Sequence, residues 1–304
     1  MNWLKKLLRS DSLIDIIVYG MLAVFLVIEL YPLLYILSAS VSDPKAVSSG
    51  ELILFPIDFG LGGYERIFRY KDIWIGYANT IIYTVLGTIL NLAVTLPCAY
   101  AFSRKELVGR MQLMILFMIT MYIGGGLIPS YLNVKSFGLL NSRIWMILAG
   151  AINVYNMIVA KTFFETSIPY EITEAAKIDG CSDTGIFTKI VLPLSKTITA
   201  VMILYYGVAH WNSYFDAMIY LDDRKKYPLQ LVLKQILIQG KFAQEALTGA
   251  DISPEDFELL SQMAKEADMI KYGVIVVSTV PMLLIYPKLQ KFFEKGVMIG
   301  SVKG

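Results

Sequence analysis

Six long apolar runs constrain the fold of this chain more than any other feature of its sequence. They lie at approximately Ile14–Ala39, Ile75–Ser103, Met111–Leu132, Ile144–Phe163, Leu194–Leu221 and Met269–Phe292. About 20 apolar residues in a helix span the hydrocarbon core of a bilayer. The runs lack the alternation of membrane β-strands, and helices satisfy every backbone polar group within lipid. The sequence therefore predicts an all-α integral membrane protein with six transmembrane helices.

Composition agrees with this class and excludes others. Of the 304 residues, 56% are hydrophobic and 17% charged, whereas soluble domains average about 45–50% and about 25%. The net charge of +2 indicates no polyanion partner, so we expect no nucleic-acid binding. One histidine, His210, cannot form a metal site alone. We expect one membrane domain over residues 1–304, with lipid around it.

Basic residues in short segments predict the orientation. Cytoplasmic loops of membrane proteins are enriched in Lys and Arg. With six crossings, three basic segments share one face, which predicts that both termini are cytoplasmic. The run Ile16–Ile36 is longer than a signal-peptide core of roughly 7–15 residues, so we expect an uncleaved first helix. The basic residues are Lys5, Lys6, Arg9, Arg104, Lys105, Arg110, Lys288, Lys291, Lys295 and Lys303.

The connector over residues 222–268 is predicted to be an extended outer loop. Its apolar stretch Pro228–Ile238 is too short to span a bilayer and is interpreted as an amphipathic helix at the outer surface. Ser253 followed by Pro254 and two acidic residues is a typical helix start. We expect this helix to continue through Ile270 into the last span.

The connector between the fourth and fifth runs has the most informative local pattern. Residues Pro169–Gly180 read PYEITEAAKIDG. Pro169 suits a first helical position, and Glu171 and Glu174 favour the positive end of a helix. Gly180 can adopt the left-handed conformation that ends a helix. The pattern predicts a short, well-ordered helix along the membrane face.

A second short helix is predicted after Gly180. Ser182 and Asp183 can cap its N-terminus, and Pro193 marks the start of the fifth span. Ala175 and Ala176 leave a smooth helix surface that another protein can approach closely. A rigid projecting element of this kind is what mechanical coupling to a partner requires.

The same residues resemble a known family. They resemble the "EAA" signature of bacterial ABC importer permeases, which reads Glu-Ala-Ala, three residues, Gly, nine residues, Ile, one residue and Leu-Pro. The matching positions here are Glu174, Ala175, Ala176, Gly180, Ile190, Leu192 and Pro193. Trp211-Asn212-Ser213-Tyr214-Phe215 and the C-terminal Phe293–Gly304 are similar to elements of the sugar-importing, MalG-like branch. The long 222–268 loop and the stretch Ile270–Val277 are most similar to LplC/YtcP-like oligosaccharide permeases.

The resemblance implies a type I ABC importer permease with a cytoplasmic coupling helix. The core would cover residues 74–292, including a coupling loop at 167–193. The chain would import sugars, and oligosaccharides in particular, across the bacterial cytoplasmic membrane. Its implied partners are a second homologous permease, two ABC ATPases and an extracellular or periplasmic solute-binding protein. The implied ATPase-coupling residues are Glu171, Glu174, Ala175, Ala176, Asp179, Gly180 and Pro193.

Alternatives remain open for some of these roles. Glu174 would contact the ATPase, but its carboxylate also stabilises a helix end by itself. The tail Gly300–Gly304 has a possible ATPase contact in this family. The chain has no G-x-x-x-x-G-K-[ST] motif, so we expect no catalytic residue and no cofactor here, with ATP and Mg²⁺ bound by the partner ATPases.

Polar residues within spans four and five are candidates for a substrate pathway. Such residues often mark a pathway, because polar groups are costly in lipid. Aromatic faces and amides suit a neutral sugar, but hydrogen bonds between helices also explain each residue singly. The role of Glu29 in the first span is undecided. The candidate pathway residues are Asn153, Asn156, Tyr205, Trp211, Asn212, Tyr214 and Asp216, with Tyr206 beside them.

Two other classes compete with the importer hypothesis. A secondary, ion-coupled transporter would need ionisable residues at mid-span and usually two related halves. An intramembrane enzyme would need a nucleophile–base pair or a metal site within the spans. Neither pattern is evident. A secondary transporter also leaves the 169–193 loop unexplained, and a single histidine without an HExxH motif argues against an enzyme.

Overall fold

The computed structural model describes residues 10–248 and 253–301, and the regular elements in these ranges are helical. The first of them are α1 (Ser10–Ser40), α2 (Pro44–Ser48), α3 (Gly62–Arg69), α4 (Lys71–Ser103), α5 (Arg110–Tyr122), α6 (Leu127–Ser136), α7 (Arg143–Leu148) and α8 (Val154–Ser167). After them come α9 (Tyr170–Ile178), α10 (Asp183–Ile186), a π-helical turn (Phe187–Val191), α11 (Leu192–Leu194), α12 (Lys196–Trp211), α13 (Tyr214–Tyr220), a 3₁₀ turn (Arg224–Lys226), α14 (Leu229–Leu247) and α15 (Pro254–Ser301).

The chain divides into two compact units. One consists of Met1–Tyr70 with Ile236–Thr279, and the other of Lys71–Gln235 with Val280–Gly304. In the second unit, α4, α8 and α12 bury a shared core. Its most deeply buried side chains include Ala99, Met157, Ala160, Phe164 and Met202. The candidate site described below lies in this second unit.

Three of the predicted spans are confirmed as single long apolar helices. Within the described residues, Ile14–Ser40, Lys71–Ser103 and Pro254–Pro287 are each long and apolar enough to cross a membrane. Two further candidates are bent helix pairs. The α5–α6 pair bends by 114° at the Gly124–Gly126 run, and the segment Asp183–Leu194 meets α12 at 83°. The described part therefore has three candidate spans, or five if each bent pair crosses once.

The fourth apolar run, predicted as one span over Ile144–Phe163, is not a continuous helix. Helix α7 ends at Leu148, and Gly150 adopts a left-handed φ of +67°. Asn153 then caps α8, because its side-chain oxygen accepts a hydrogen bond from the backbone N–H of Asn156 at 3.1 Å. The fifth run is also interrupted, between Trp211 and Tyr214. The count of six spans therefore stays a prediction.

The 222–268 connector contains the helices that the sequence predicted. The amphipathic stretch forms α14, which extends further than predicted, to Leu247. The segment before it is fixed to α4 by hydrogen bonds from the Asn79 side chain to the carbonyls of Lys225 and Tyr227, at 2.9 and 3.0 Å. The predicted helix start at Ser253 is also confirmed, because Ser253 Oγ accepts from the backbone N–H of Asp256 at 3.1 Å.

Some predictions fall outside the described residues. These are the basic N-terminal residues Lys5, Lys6 and Arg9, the basic residue Lys303, and the end of the predicted contact segment Gly300–Gly304. The side chains of Lys288, Lys291 and Lys295 are likewise not described.

Candidate functional site

Helix α9 has the start and the end that its sequence predicts, shifted by one residue. Pro169 is the residue before the first helical position, not the first position itself, and Glu171 lies in the first turn. At the other end Gly180 has a φ of +80°. The N–H of Gly180 donates to the Lys177 carbonyl at 3.0 Å and the N–H of Cys181 to the Ala176 carbonyl at 2.9 Å. These bonds satisfy the last carbonyls of the helix as a Schellman motif does.

The two faces of α9 differ sharply in exposure. Thr173 and Ala176 are buried, with 3% and 6% of their surface exposed. Positions three, four and seven residues apart share one face of a helix. The opposite face consists of Glu171, Glu174, Ala175 and Ile178, all of them exposed. We call these four residues the exposed face of α9.

Ile178 is the residue on this face that sequence reasoning missed. Its side chain is 87% exposed, which is unusual for a large aliphatic residue beside three charged or small ones. The signal was present in the sequence, since Ile178 lies seven residues after Glu171 and four after Glu174. A short helix that exposes an aliphatic side chain flanked by carboxylates is suited to insertion into a groove of another protein.

The other predicted coupling residues lie off the exposed face. Ala176 points into the core formed by α4, α8 and α12, so its small side chain permits close packing within this chain and is not part of the exposed face. Asp179 ends α9 as its C-cap residue. Pro193 lies in α11, one turn before α12 begins at Lys196.

The second half of the loop returns the chain to the core. Ser182 caps α10 as predicted, with its Oγ accepting from the N–H of Gly185 at 3.2 Å. Ile186 and Val191 are fully buried in the same core as Ala176. The first and second halves of the 169–193 loop are therefore both packed against the helices of this core.

A second feature of this unit is a polar cavity between α7, α8, α12 and α13. Its volume is about 210 Å³. Apolar and small residues form part of its wall, and the hydroxyl oxygen of Ser213 is buried there without a hydrogen-bond partner in the described structure. The polar residues that line it are Asn153, Asn156, Tyr206, His210, Ser213 and Asp216.

The structure divides the candidate pathway residues into two groups. Asn153, Asn156 and Asp216 line the cavity. The other four do not. Tyr205 is exposed, and Trp211 is buried with its ring against Tyr77. The side-chain amide of Asn212 donates to the Val208 carbonyl. The centre of the Tyr214 ring lies 4.1 Å from Lys234 Nζ.

A hydrogen-bond network holds the break in the fourth run beside this cavity. The Asn91 amide nitrogen donates to the carbonyls of Gly150 and Ala151 at 2.7 and 3.0 Å. Its oxygen is thus left to accept from His210 Nε2, 2.7 Å away. The Tyr206 hydroxyl accepts from the N–H of Asn153 at 3.2 Å. Polar residues inside apolar runs were the sequence signal for this network, but their partners were not readable.

The expected lack of a metal site and the open role of Glu29 both concern the described part of the chain. No group of three or more His, Cys, Asp or Glu side chains in that part of the chain could hold a metal ion. Glu29 lies on the surface of α1, where the surrounding side chains are also exposed, and its role stays undecided.

Known proteins resemble this chain over nearly its whole length. The model of the family described as "Binding-protein-dependent transport system inner membrane component" matches residues 73–217. The polygalacturonan/rhamnogalacturonan transport system permease protein YtcP of Bacillus subtilis is 42% identical, over 97% of this chain and 100% of that protein. Protein LplC of the same organism is 39% identical, over 91% and 90% of the two chains.

A solved structure shares the fold. It is a bacterial ABC transporter involved in the import of the acidic polysaccharide alginate, with 34% identity and a TM-score of 0.81 over 94% of this chain and 98% of that one. The fold is thus the all-helical type I ABC permease fold. Proteins of this family act with ATPase and solute-binding partners, and the membrane subunit itself is not catalytic. The chain belongs to the family of binding-protein-dependent transport system inner membrane components, as a multi-pass permease subunit of an ABC importer.

Proposed function

We propose that this permease carries oligosaccharides inward across the bacterial cytoplasmic membrane. Support comes from relatives named as permeases for polygalacturonan/rhamnogalacturonan, diacetylchitobiose and galactooligosaccharides. Each of these names is a statement about that relative. Their common chemistry is a chain of sugar units, which is the substrate class proposed here.

The proposed assembly has five protein components. This chain pairs with a second, homologous permease, and two ABC ATPases bind ATP and Mg²⁺ beneath the pair. A solute-binding protein delivers the sugar from outside. The chain itself holds no cofactor in this proposal, which fits its lack of a phosphate-binding motif.

The proposed topology has six crossings with both termini in the cytoplasm. The interrupted pairs α5–α6, α7–α8 and α12–α13 would each complete one crossing, as broken helices do when they line a cavity or pack against neighbours. The transport core would then cover residues 74–292, with the 167–193 loop cytoplasmic and the 222–268 loop outside. Basic Arg104, Lys105 and Arg110 on the same side as the 167–193 loop favour this orientation.

One observation supports the coupling role above the others. The exposed face of α9 presents Ile178 at its C-terminal end, one turn after Glu174 and Ala175, while the buried face fixes the helix to the core. A rigid helix with an exposed aliphatic side chain fits a groove in a partner protein. In this proposal that partner is the ATPase, and Gly180 ends the helix so that the loop can turn back.

The polar cavity is the proposed sugar-contacting part of this subunit. Asn156, Ser213 and Asp216 offer amide, hydroxyl and carboxyl groups to sugar hydroxyls, and His210 adds a ring nitrogen. Asn153 and Tyr206, in contrast, already stabilise the helix break. The Tyr206 hydroxyl accepts from the backbone N–H of Asn153, and the Asn153 side-chain oxygen accepts from the N–H of Asn156. The remaining predicted residues, Tyr205, Trp211, Asn212 and Tyr214, are not included in the proposed contact set.

Copurification and transport test the proposal together. The tagged chain, expressed with its neighbouring transport genes, is expected to copurify with an ATPase and a second permease. In proteoliposomes the complex should take up oligosaccharide only with ATP and the binding protein present. Uptake driven by an ion gradient without ATP would instead support a secondary transporter.

Substitutions in the middle of α9 and at the glycine after it should uncouple transport while membrane insertion persists. Glu174→Lys reverses a charge on the exposed face. Gly180→Val forces a β-branched residue into a positive φ of +80°, a strain of about 1–3 kcal/mol. We expect sugar uptake to fall strongly in both variants, with normal amounts of the chain in the membrane fraction. Normal uptake in both variants would show that α9 has no coupling role.

A further inference from the structure

The connector between α4 and α5, residues 104–109, is fastened to the end of α8. Arg104 Nη2 donates to the Phe164 carbonyl at 3.2 Å. Arg110, which begins α5, pairs with Glu165, and Lys161 pairs with the same carboxylate at 2.8 Å. A cationic side chain at a helix C-terminus satisfies a free carbonyl and opposes the helix dipole. The connector thus holds the helix that precedes the 169–193 loop.

The same connector also contacts α9, on the other side of the joint. The Glu106 carboxylate accepts a hydrogen bond from the Tyr170 hydroxyl. Its Oε1 also lies 3.7 Å from Lys177 Nζ, which in turn lies 3.6 Å from the Asp183 carboxylate. Tyr170 and Lys177 are seven residues apart, two helical turns, so they share one side of α9. One carboxylate therefore bridges the two ends of this short helix.

Between these two attachments the backbone is extended. Ile168 has φ −112° and ψ 99°, and Pro169 has φ −56° and ψ 142°. Pro169 lacks a backbone N–H that could join the two helices through the α-helical ladder. The angle between α8 and α9 is therefore determined by side-chain contacts across the joint, and the 104–110 segment makes contacts on both sides of it.

The hydrogen bond between Glu106 and Tyr170 favours the ionised carboxylate. The hydroxyl of Tyr170 lowers the pKa of the Glu106 carboxyl, and Glu106 raises the pKa of the Tyr170 phenol. Both directions keep Glu106 charged and Tyr170 protonated at neutral pH. The charge-assisted bond is accordingly present under the conditions in which a cell would transport.

We propose that Glu106 is a positioning residue that sets the angle of α9 through Tyr170 and Lys177, so that α9 moves together with the α4–α5 connector. The inference rests on the proposed coupling role of α9. Glu106 lies 68 positions before Glu174 and outside the EAA pattern. The proposal places it on the path by which ATP hydrolysis moves the membrane helices.

A mutant cycle in the complete transporter tests this role. Glu106→Ala, Tyr170→Phe and the double variant are compared for sugar uptake and for ATP hydrolysed per sugar imported. Each single variant should lower uptake about three- to tenfold, the effect of losing one hydrogen bond at a partly exposed site, and should raise the ATP cost per sugar. The double variant should be no worse than Glu106→Ala, because both changes remove the same contact.

Lys105→Gln is the matched control, since Lys105 neighbours Glu106 in the same connector, is exposed and has no hydrogen bond or ion pair in the described structure. It should leave uptake unchanged. Unaltered coupling in Glu106→Ala, additive losses in the double variant, or a loss explained by less complex in the membrane would each overturn the proposal. Absence of ATP-driven uptake in the wild-type complex would instead contradict the proposed function itself.

Discussion

Gly87→Ala is expected to destabilise the permease, because α4 and α12 meet at this glycine without space for a side chain. A Cβ atom at Gly87 would lie 2.4 Å from both Cε1 and Nε2 of His210. The His210 ring cannot swing away freely, since its Nε2 is bonded to Asn91. Overpacking of a buried contact costs about 1–3 kcal/mol. The purified complex should therefore unfold at a clearly lower temperature, and less of it should accumulate in the membrane.

Gly207→Ala provides the matched control on the facing helix. The nearest atom to its added Cβ would be Thr88 Oγ1 at 3.9 Å, an ordinary contact distance. Alanine also has the higher helix propensity, so this variant should be at least as stable as the wild type. Equal melting temperatures for Gly87→Ala and Gly207→Ala would contradict the close approach of α4 to His210.

Ile178→Asp is expected to abolish ATP-driven uptake by weakening the proposed contact between α9 and the ATPase. The side chain is 87% exposed in this chain, so the substitution should leave the fold intact, as surface changes generally do. In the complex, however, it would place a carboxylate where an aliphatic anchor belongs. Loss of such an anchor costs about 2 kcal/mol or more, about thirtyfold in affinity. Copurification of the ATPase under stringent washing measures the loss directly.

The conservative variant Ile178→Leu tests whether an apolar side chain at this position is what the ATPase contact requires. It keeps the apolar volume, so uptake and ATPase retention should stay close to the wild type. If Ile178→Asp retained the ATPase as well as Ile178→Leu does, the exposed face of α9 would not be the docking surface.

Much of the architecture was predictable because a sufficiently long apolar run is enough to predict a membrane-spanning helix. The apolar parts of α1, α4 and α15 follow from long apolar runs. The breaks at Gly150 and Asn153 were not predictable, because the residues that stabilise them lie far away in sequence. Asn91, about 60 residues earlier, supplies the hydrogen bonds that compensate the free carbonyls. The polar residues within the run, such as Asn153, indicate that partners are needed, but they do not identify Asn91 as one of them.

The candidate site was predictable in its motif but only partly in its geometry. The motif spacing from Glu174 to Pro193 predicted the position of the loop. The turn at Gly180 was predictable because glycine readily adopts the left-handed conformation that ends a helix. Which side of α9 faces outward depended on packing against α4, α8 and α12, so Ala176 was assigned to the contact although it is buried. The role of Glu106 required the tertiary contact with Tyr170, which no local pattern contains.

Labelling of Cys181 tests the central claim most directly, because this thiol directly follows Gly180 and is exposed. The half-buried Cys98 is first changed to Ser. A membrane-impermeant maleimide is then applied to right-side-out and inside-out vesicles, with and without the ATPase. We predict labelling only in inside-out vesicles, and strong protection once the ATPase is assembled. Labelling from the outer side, or an equal reaction rate with and without the ATPase, would contradict a cytoplasmic α9 that docks on the ATPase.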